Sequence, residues 1–477
     1  MADAADWPSL IIELAKSTKS DWVALSQGSE QLTIRELAER MQKTAAALRD
    51  GSGPVMISTP DALLHTTAVL GAGAAGRPAL MVDSRVPDQL ALEIYRRTRA
   101  TALIGRDLPG LIALSERELN ERLPIQPVGR SGDAINTMLL TSGSTGVPKV
   151  VQRSISADFA ASHNLQILGY PLGEGDRYLL MVPFASAVFI TILMGVIILR
   201  STVVIGAFGE DLGQRFADQH ISGAYCVPTM LRLAQLHDGL QGPGWDGLRG
   251  LMVGGEQLDA ESRERLAKYF PDAYLFYGMS EHPNVALARP QDLLERPGCV
   301  GLPLPMRDLR FVHPGTQDDV EQSKEGQILL RGPELFSGYV GEEPIGDWFA
   351  TGDIGYRDKD GFLYVTGRVN DQVNVGGNRV STVEVSALID AHPEVLSCAV
   401  VAIDDPVWTT KLIAFVVRAE GAELLADDLV SWLKSRTTAY RIPRAIYFLD
   451  RLPVDTSGKL SRQTLVKWAI EAEKCSM

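Results

Sequence analysis

The sequence predicts an α/β protein in which a large N-terminal domain of layered α/β subdomains precedes a small α+β C-terminal domain. Three observations lead there. Through roughly the first two thirds of the chain, short apolar runs of strand length alternate with helix-length periodic stretches, which implies α/β layers around largely parallel sheets. After about Asp308 glycine and proline become frequent and the apolar runs shorten, as in Gly326–Arg331 and Gly361–Thr366. After Gly367-Arg368-Val369-Asn370 a smaller set of helices and strands begins. With 477 residues, 45% of them hydrophobic and 22% charged, the chain can bury several domain-sized cores.

Leu32–Leu48 opens the series as an amphipathic helix. Thr33 and Glu36 form a capping box, and Ile34, Leu37, Met41 and Ala45 recur at helical spacing. A strand at Val55-Met56-Ile57, a helix near Ala62–Ala75 and a strand at Ala79-Leu80-Met81-Val82 follow. The pattern returns as Leu179–Val182, a helix and Thr202–Ile205, then as Gly223–Val227, a helix through Leu236 and Leu248–Val253. The C-terminal part reads as a helix at Val380–Ala391, strands at Val395–Ile403 and Lys411–Val417, a helix at Asp427–Thr437 and a strand at Ala445–Phe448. No internal repeat or low-complexity run is visible.

A net charge of −13 argues against nucleic acid as a partner, because phosphate backbones call for surplus Lys and Arg. Tyr178–Leu199 carries no charge, and about 20 apolar residues can span a bilayer. Pro183, Ser186 and Thr191 interrupt the run and Arg177 and Arg200 flank it, so a buried strand and a buried helix from about Ala187 are expected instead of a membrane span. Cys226, Cys299, Cys398 and Cys475 have no metal-ligand spacing, and no basic segment leading into an apolar stretch opens the chain. A cytoplasmic protein with reduced thiols is expected.

The strongest local signal is Leu139-Leu140-Thr141-Ser142-Gly143-Ser144-Thr145-Gly146-Val147-Pro148-Lys149. Glycines let backbone N–H groups approach an anion, the hydroxyls of Thr141, Ser142, Ser144 and Thr145 add donors, and Lys149 adds charge. This suits a polyphosphate. It is not a Walker A loop, which needs four residues between its first Gly and the Gly-Lys pair. By composition alone a solvated Ser/Gly turn would read the same way.

With this loop the chain resembles the adenylate-forming superfamily of acyl-CoA synthetases, nonribosomal peptide synthetase adenylation domains and beetle luciferases. Further motifs carry the resemblance in the family's order over nearly the whole chain. Gly254-Gly255-Glu256 resembles its adenine-side segment and Tyr277-Gly278-Met279-Ser280-Glu281 its aromatic-Gly-x-Thr-Glu motif, with Ser280 keeping the hydroxyl of the usual Thr. Thr351-Gly352-Asp353 resembles the ribose motif, and Gly367-Arg368-Val369-Asn370-Asp371-Gln372-Val373 the hinge. Leu452-Pro453-Val454-Asp455-Thr456-Ser457-Gly458-Lys459-Leu460 resembles the terminal lysine motif.

The resemblance implies ATP-dependent activation of a carboxylic acid as acyl-AMP with release of pyrophosphate, then transfer to a thiol. It implies a large ATP- and acid-binding domain over residues 1–369 and a small mobile domain over 370–477 that rotates about Asn370. Tyr277 would stack on adenine, Asp353 would accept the ribose hydroxyls from a Gly-rich turn after Trp348 and Phe349, and Arg368 would bind the ribose or phosphate side. Glu281 is a hard oxygen ligand suited to Mg²⁺ on phosphates. Lys459, with Glu281 and Lys149, would compensate the charge of two anions that must meet.

Asn370 stands where the hinge carries Asp or Lys, and Asn374 where many relatives have Lys. The run Asp371–Gly377 looks most like the aryl-acid branch. Amino-acid-activating relatives place an Asp soon after the position of Phe184; Pro183-Phe184-Ala185-Ser186-Ala187-Val188-Phe189 has none, so an α-amino acid is not expected. The His-Asn pair of the hydroxybenzoate branch is missing as well. Phe184, Ser186, Ala187 and Phe189 are candidates for lining an apolar acid pocket, and equally readable as core. The acid, aryl or aliphatic, stays open, as does the acceptor, coenzyme A or the phosphopantetheine of a carrier protein. An ATP-binding but catalytically silent relative acting as a regulatory or partner protein is the alternative, against which intact Lys149, Glu281, Asp353 and Lys459 speak. A luciferase-type oxidative enzyme has only kinship behind it.

Overall fold

A computed structural model describes residues 6–17, 21–141, 148–209, 211–238, 240–255, 258, 260–369, 372–375, 378–405, 409–454 and 460–475. The chain forms two compact units. One comprises residues 1–308, 331–349 and 361–363, the other residues 309–330, 350–360 and 364–477. The sequence boundary at 369/370 falls within the second unit, and Asn370 lies outside the described residues.

The α/β layering expected from the sequence is present in the first unit. Strands Arg177–Leu180, Thr202–Ile205, Gly223–Cys226, Gly250–Gly254 and Tyr274–Met279 pair in parallel, joined through helices such as Ala187–Ile198. His282–Ala288 and Cys299–Pro303 continue this sheet antiparallel at one side. Val23–Gln27 and Glu30–Thr33 extend it at the other. A second sheet has Val55–Ser58, Ala79–Met81, Ala102–Gly105 and Ile135–Thr141 in parallel, then Lys149–Ser154 and Gly338–Tyr339 antiparallel. Strands covered by helices on their faces explain the near-continuous apolar runs in the sequence.

Local chemistry sets the helix starts. The Thr33 hydroxyl accepts from the Glu36 amide at 3.2 Å while Glu36 accepts from the Thr33 amide at 2.8 Å, and the helix runs Ile34–Leu48 with Ile34, Leu37, Met41 and Ala45 buried. Burying each larger aliphatic side chain of that stripe contributes about 1.5–3 kcal/mol. The uncharged stretch after Arg177 is a buried strand followed by a 12-residue buried helix, Ala187–Ile198. Among the described residues no helix is long and apolar enough to cross a membrane.

In the second unit, strands Asp308–Val312, Gly326–Arg331, Phe349–Arg357 and Leu363–Arg368 neighbour one another in that order. Val395–Asp405 pairs antiparallel with Thr409–Arg418, which pairs in parallel with Ala445–Phe448. Side chains of the first strand alternate between two cores. Cys398 and Val400 pack with Ile389, Leu429 and Leu433, whereas Ala399, Val401 and Ile403 pack with Leu465 and Ala469. The expected helix Val380–Ala391 is shorter than its apolar pattern. Val380 and Ser381 end a hairpin strand, Asn378–Ser381, and the Ser381 hydroxyl caps helix Thr382–Asp390. β-branched Val380 suits the strand and Ser381 the cap, so the transition falls two residues later.

Candidate functional site

The phosphate-loop motif joins two antiparallel strands. Thr141 ends one and faces Lys149, which begins the next. Ser142, Gly143, Ser144, Thr145 and Gly146 lie between them and outside the described residues. Lys149 Nζ lies 2.9 Å from Glu342 Oε1 and 4.4 Å from the centroid of the Tyr339 ring.

Gly254 closes the strand Gly250–Gly254, and Gly255 follows at φ +96°, a left-handed conformation that glycine adopts without strain. Glu256 lies outside the described residues. The aromatic-Gly motif forms the turn between strands Tyr274–Met279 and His282–Ala288, where half-buried Tyr277 faces Ala286. A Cβ on Gly278 would stand 1.8 Å from the carbonyl oxygen of Pro283, so only glycine fits that close approach. Ser280 and Glu281 occupy the turn. The Ser280 carbonyl accepts from Arg153 Nη1 at 3.3 Å, the Glu281 carbonyl accepts from the Phe336 amide at 2.9 Å, and Glu281 Oε1 accepts from the Tyr339 hydroxyl at 2.6 Å.

Behind this turn sits a buried charged network that no sequence motif marked. Arg153 pairs with Asp158 at 2.7 Å, both side chains only 1% exposed. Asp158 also accepts from Asn136 and Thr137. Glu334 accepts from Asn164 at 2.7 Å and Asn284 at 3.1 Å and pairs with Arg307. Burial, reinforced by Arg307 and Arg153, pushes the adjacent His282 down to about 3, which keeps it neutral. Such networks hold only when their charges are balanced and hydrogen-bonded.

In the second unit Asp353 and Arg368 come together. Asp353 is buried within strand Phe349–Arg357 and Arg368 ends strand Leu363–Arg368, their Oδ1 and Nε 2.9 Å apart. The Gly-rich segment expected around Asp353 lies inside this strand, and Gly352 keeps a left-handed φ of +78° there. Across this glycine the Asp353 amide donates to the Thr351 hydroxyl at 3.0 Å. Lys459 and Asn370 lie outside the described residues.

Of the candidate pocket residues, Ser186 caps helix Ala187–Ile198. Its hydroxyl donates to the Pro183 carbonyl at 2.7 Å and accepts from the Phe189 amide at 3.1 Å. Ala187 and Phe189 are buried, and half-buried Phe184 packs 5.2 Å from the Phe189 ring. His65 joins them at 5.9 and 5.8 Å between ring centroids. Its burial pushes it down to about 4, and neither ring nitrogen has a hydrogen-bond partner among the described residues. Within helix Ala62–Ala74, buried on every side, no periodic signal could single it out.

A single hard carboxylate suits a divalent cation whose remaining ligands are phosphate oxygens and water, and Glu281 presents one beside Lys149. Among the described residues no group of three or more His, Cys, Asp or Glu could hold a metal by itself. The donor set therefore fits magnesium carried on a nucleotide.

Residues 12–340 match the AMP-binding enzyme family, and residues 384–459 match the AMP-binding enzyme C-terminal domain. The chain is 28% identical to the 2-succinylbenzoate–CoA ligase of Bacillus licheniformis over 96% of this chain and 99% of the relative. It is also 28% identical to a feruloyl-CoA synthase of Amycolatopsis over 92% and 94%. The Geobacillus 2-succinylbenzoate–CoA ligase is 32% identical over 70% of this chain and 69% of the relative. The fold superposes with a TM-score of 0.85, at 25% identity and over 97% and 98% of the two chains, on the Bacillus subtilis o-succinylbenzoate CoA synthetase solved with its acyl-adenylate intermediate.

Proposed function

The chain belongs to the AMP-binding enzyme family, and from that premise we propose which acid and thiol it joins and which residues do the work. It is an AMP-forming acid–thiol ligase: it activates a carboxylic acid with ATP and passes the acyl group to a thiol. We propose that the acid is aromatic, or an aliphatic acid with an aryl group, and that the acceptor is coenzyme A. Carrier-protein phosphopantetheine is the second reading, favoured only by the aryl-acid-like run Asp371–Gly377.

The observation that carries the substrate class is the segment Pro183–Phe189. It holds no carboxylate for an α-ammonium group, its one hydroxyl is engaged in capping, and its side chains pack with Phe184 and neutral His65. An ammonium buried there would cost several kcal/mol. Relatives that act on succinylbenzoate and ferulate support an aryl acid. Phe184, Ala187 and Phe189, with Ser186 at the helix start, are proposed as its surroundings.

In the first half-reaction a carboxylate oxygen attacks the α-phosphorus, and the bond to the β-phosphate oxygen breaks as pyrophosphate leaves with the electron pair. In the second, a thiolate attacks the acyl carbon and AMP departs. The proposed roles follow the charges. Thr141 to Lys149 hold the polyphosphate, Tyr277 stacks on adenine beside Gly254, Gly255, Glu256 and Gly278, and Ser280 donates to phosphate. Asp353 and Arg368 take the ribose side. Lys459 compensates the charge where carboxylate and α-phosphate meet, from a small domain that turns about Asn370. Magnesium, held through Glu281, would supply further charge compensation on the phosphates. Cys226, Cys299 and Cys398, buried and in no disulfide among the described residues, support a reducing, cytoplasmic setting.

Acid-dependent exchange of pyrophosphate into ATP, run over benzoates, cinnamates, fatty acids and amino acids, tests this reading. Exchange with α-amino acids alone overturns the substrate class, and no exchange with any acid favours the silent relative. Thioester formation with coenzyme A against a phosphopantetheinylated carrier protein decides the acceptor.

A further inference from the structure

The two charges of the nucleotide site share one support, and it is a side chain outside every motif recognised in the sequence. The short strand Gly338–Tyr339 pairs antiparallel with Lys149–Ser154, Tyr339 opposite Val151 and Gly338 opposite Gln152. Lys149 stands two residues before Val151 on the same strand, so its side chain emerges on the face that Tyr339 occupies. That register brings the Lys149 ammonium to 4.4 Å from the ring centroid. At its far end the same ring donates its hydroxyl to Glu281 Oε1 at 2.6 Å.

Neither contact is loose. The Phe336 amide holds the Glu281 carbonyl at 2.9 Å, and the Phe336 ring lies 4.8 Å from that of Tyr339 and 4.9 Å from that of Phe349. Burial, Glu281 and Glu342 all push the Tyr339 phenol upward, so it stays a donor at any physiological pH. The chain leaves Tyr339 through Val340, whose amide donates to the Val150 carbonyl at 3.0 Å, and returns Glu342 to Lys149.

We infer that Tyr339 is a positioning residue for nucleotide binding, its hydroxyl orienting the Glu281 carboxylate toward a phosphate-bound divalent cation while its ring face carries Lys149. The inference rests on the proposed roles of Glu281 and Lys149. The two ends of the side chain are separable. Tyr339→Phe removes the hydroxyl and keeps the ring, whereas Tyr339→Leu removes both.

Calorimetric titration with a non-hydrolysable ATP analogue, in magnesium and in EDTA, reads them apart, with thermal melting to show that each variant is folded. Tyr339→Phe should bind about tenfold more weakly in magnesium, the scale of one hydrogen bond to a charged group, and like wild type in EDTA. Tyr339→Leu should weaken binding in both, because Lys149 loses its support. A Tyr339→Phe variant that matches wild type in magnesium, binds more tightly there, or loses equally in EDTA overturns the inference. Glu281→Gln separates the layers. If it keeps full magnesium-dependent affinity, the role of Glu281 fails and this inference with it; if it loses that affinity while Tyr339→Phe does not, only the inference fails.

Discussion

Asp353 and Arg368 form an asymmetric pair, with Nε and Oδ1 2.9 Å apart, the carboxylate 4% exposed and the guanidinium 65%. Removing one side is therefore unlike removing the other. Asp353→Ala leaves an arginine that water can solvate, and its main effect should fall on ATP. The loss of charge-assisted hydrogen bonds to the ribose should cost about 2–4 kcal/mol of binding. Arg368→Ala leaves a buried carboxylate without this cation and should lower stability by about 1–3 kcal/mol as well. Calorimetry and urea melts on both variants check this; an Asp353→Ala protein that binds ATP normally refutes the ribose role.

Lys459→Ala should abolish most adenylate formation while leaving thioester formation from preformed adenylate intact. Loss of one charge contact at a developing anion costs about 10²–10³ in rate. Assaying the half-reactions separately decides it, and equal losses in both would make the lysine structural.

Arg153→Met should be among the most destabilising single changes in the first unit. It strands Asp158 at 1% exposure and frees the Ser280 carbonyl beside Glu281. Breaking one partner of a buried pair costs about 3–5 kcal/mol. Adding Asp158→Asn should recover part of that, because the stranded charge is gone. Denaturant midpoints of the single and double variants check the coupling, and strict additivity would show that the pair is not the origin of the cost.

Stability should fall as the solution is acidified below about pH 6.5. His65 and His282 have folded values pushed to about 4 and about 3, below the ordinary 6.5, so between those limits the unfolded chain binds more protons. The stabilisation is complete above 6.5 and is lost as pH drops toward the folded values. For His65 alone the span corresponds to about 3 kcal/mol at most. Replacing His65 by Leu should flatten the part of the profile between pH 4 and 6.5, read from melting temperatures across that range. An unchanged slope would place the acid sensitivity elsewhere.

Where local chemistry decides a structure, it was legible in the residues. The Thr33–Glu36 capping box, the strand Thr202–Ile205 and the strand Ala445–Phe448 stand where their patterns put them. The Gly278 turn is demanded by a backbone approach that leaves a trace in sequence as the glycine itself. What stayed hidden depends on partners distant in the chain. Arg153, Glu334 and Arg307 stand in no local pattern, and only folding reveals that Arg153 and Arg307 balance Asp158 and Glu334 in the interior. Tyr339 sits 58 residues from Glu281, and its role follows from strand register, which short-range patterns do not encode. Asp353 read as a turn because Gly352 precedes it; the left-handed φ of Gly352 is there, but strand pairing on either side carries the segment through it, which the local pattern does not show.

The strand that follows the phosphate loop has a consequence for how this gene can tolerate change. Lys149, Val151 and Arg153 alternate with Val150 and Gln152, so a cation meant for solvent and one locked in the interior share a phase. Deleting or inserting one codon between them would invert that phase. Lys149 would then keep its place while Arg153 swung to the opposite face, or the reverse, and either outcome separates nucleotide capture from the integrity of the fold. Length variation should therefore be purged from residues 150–153.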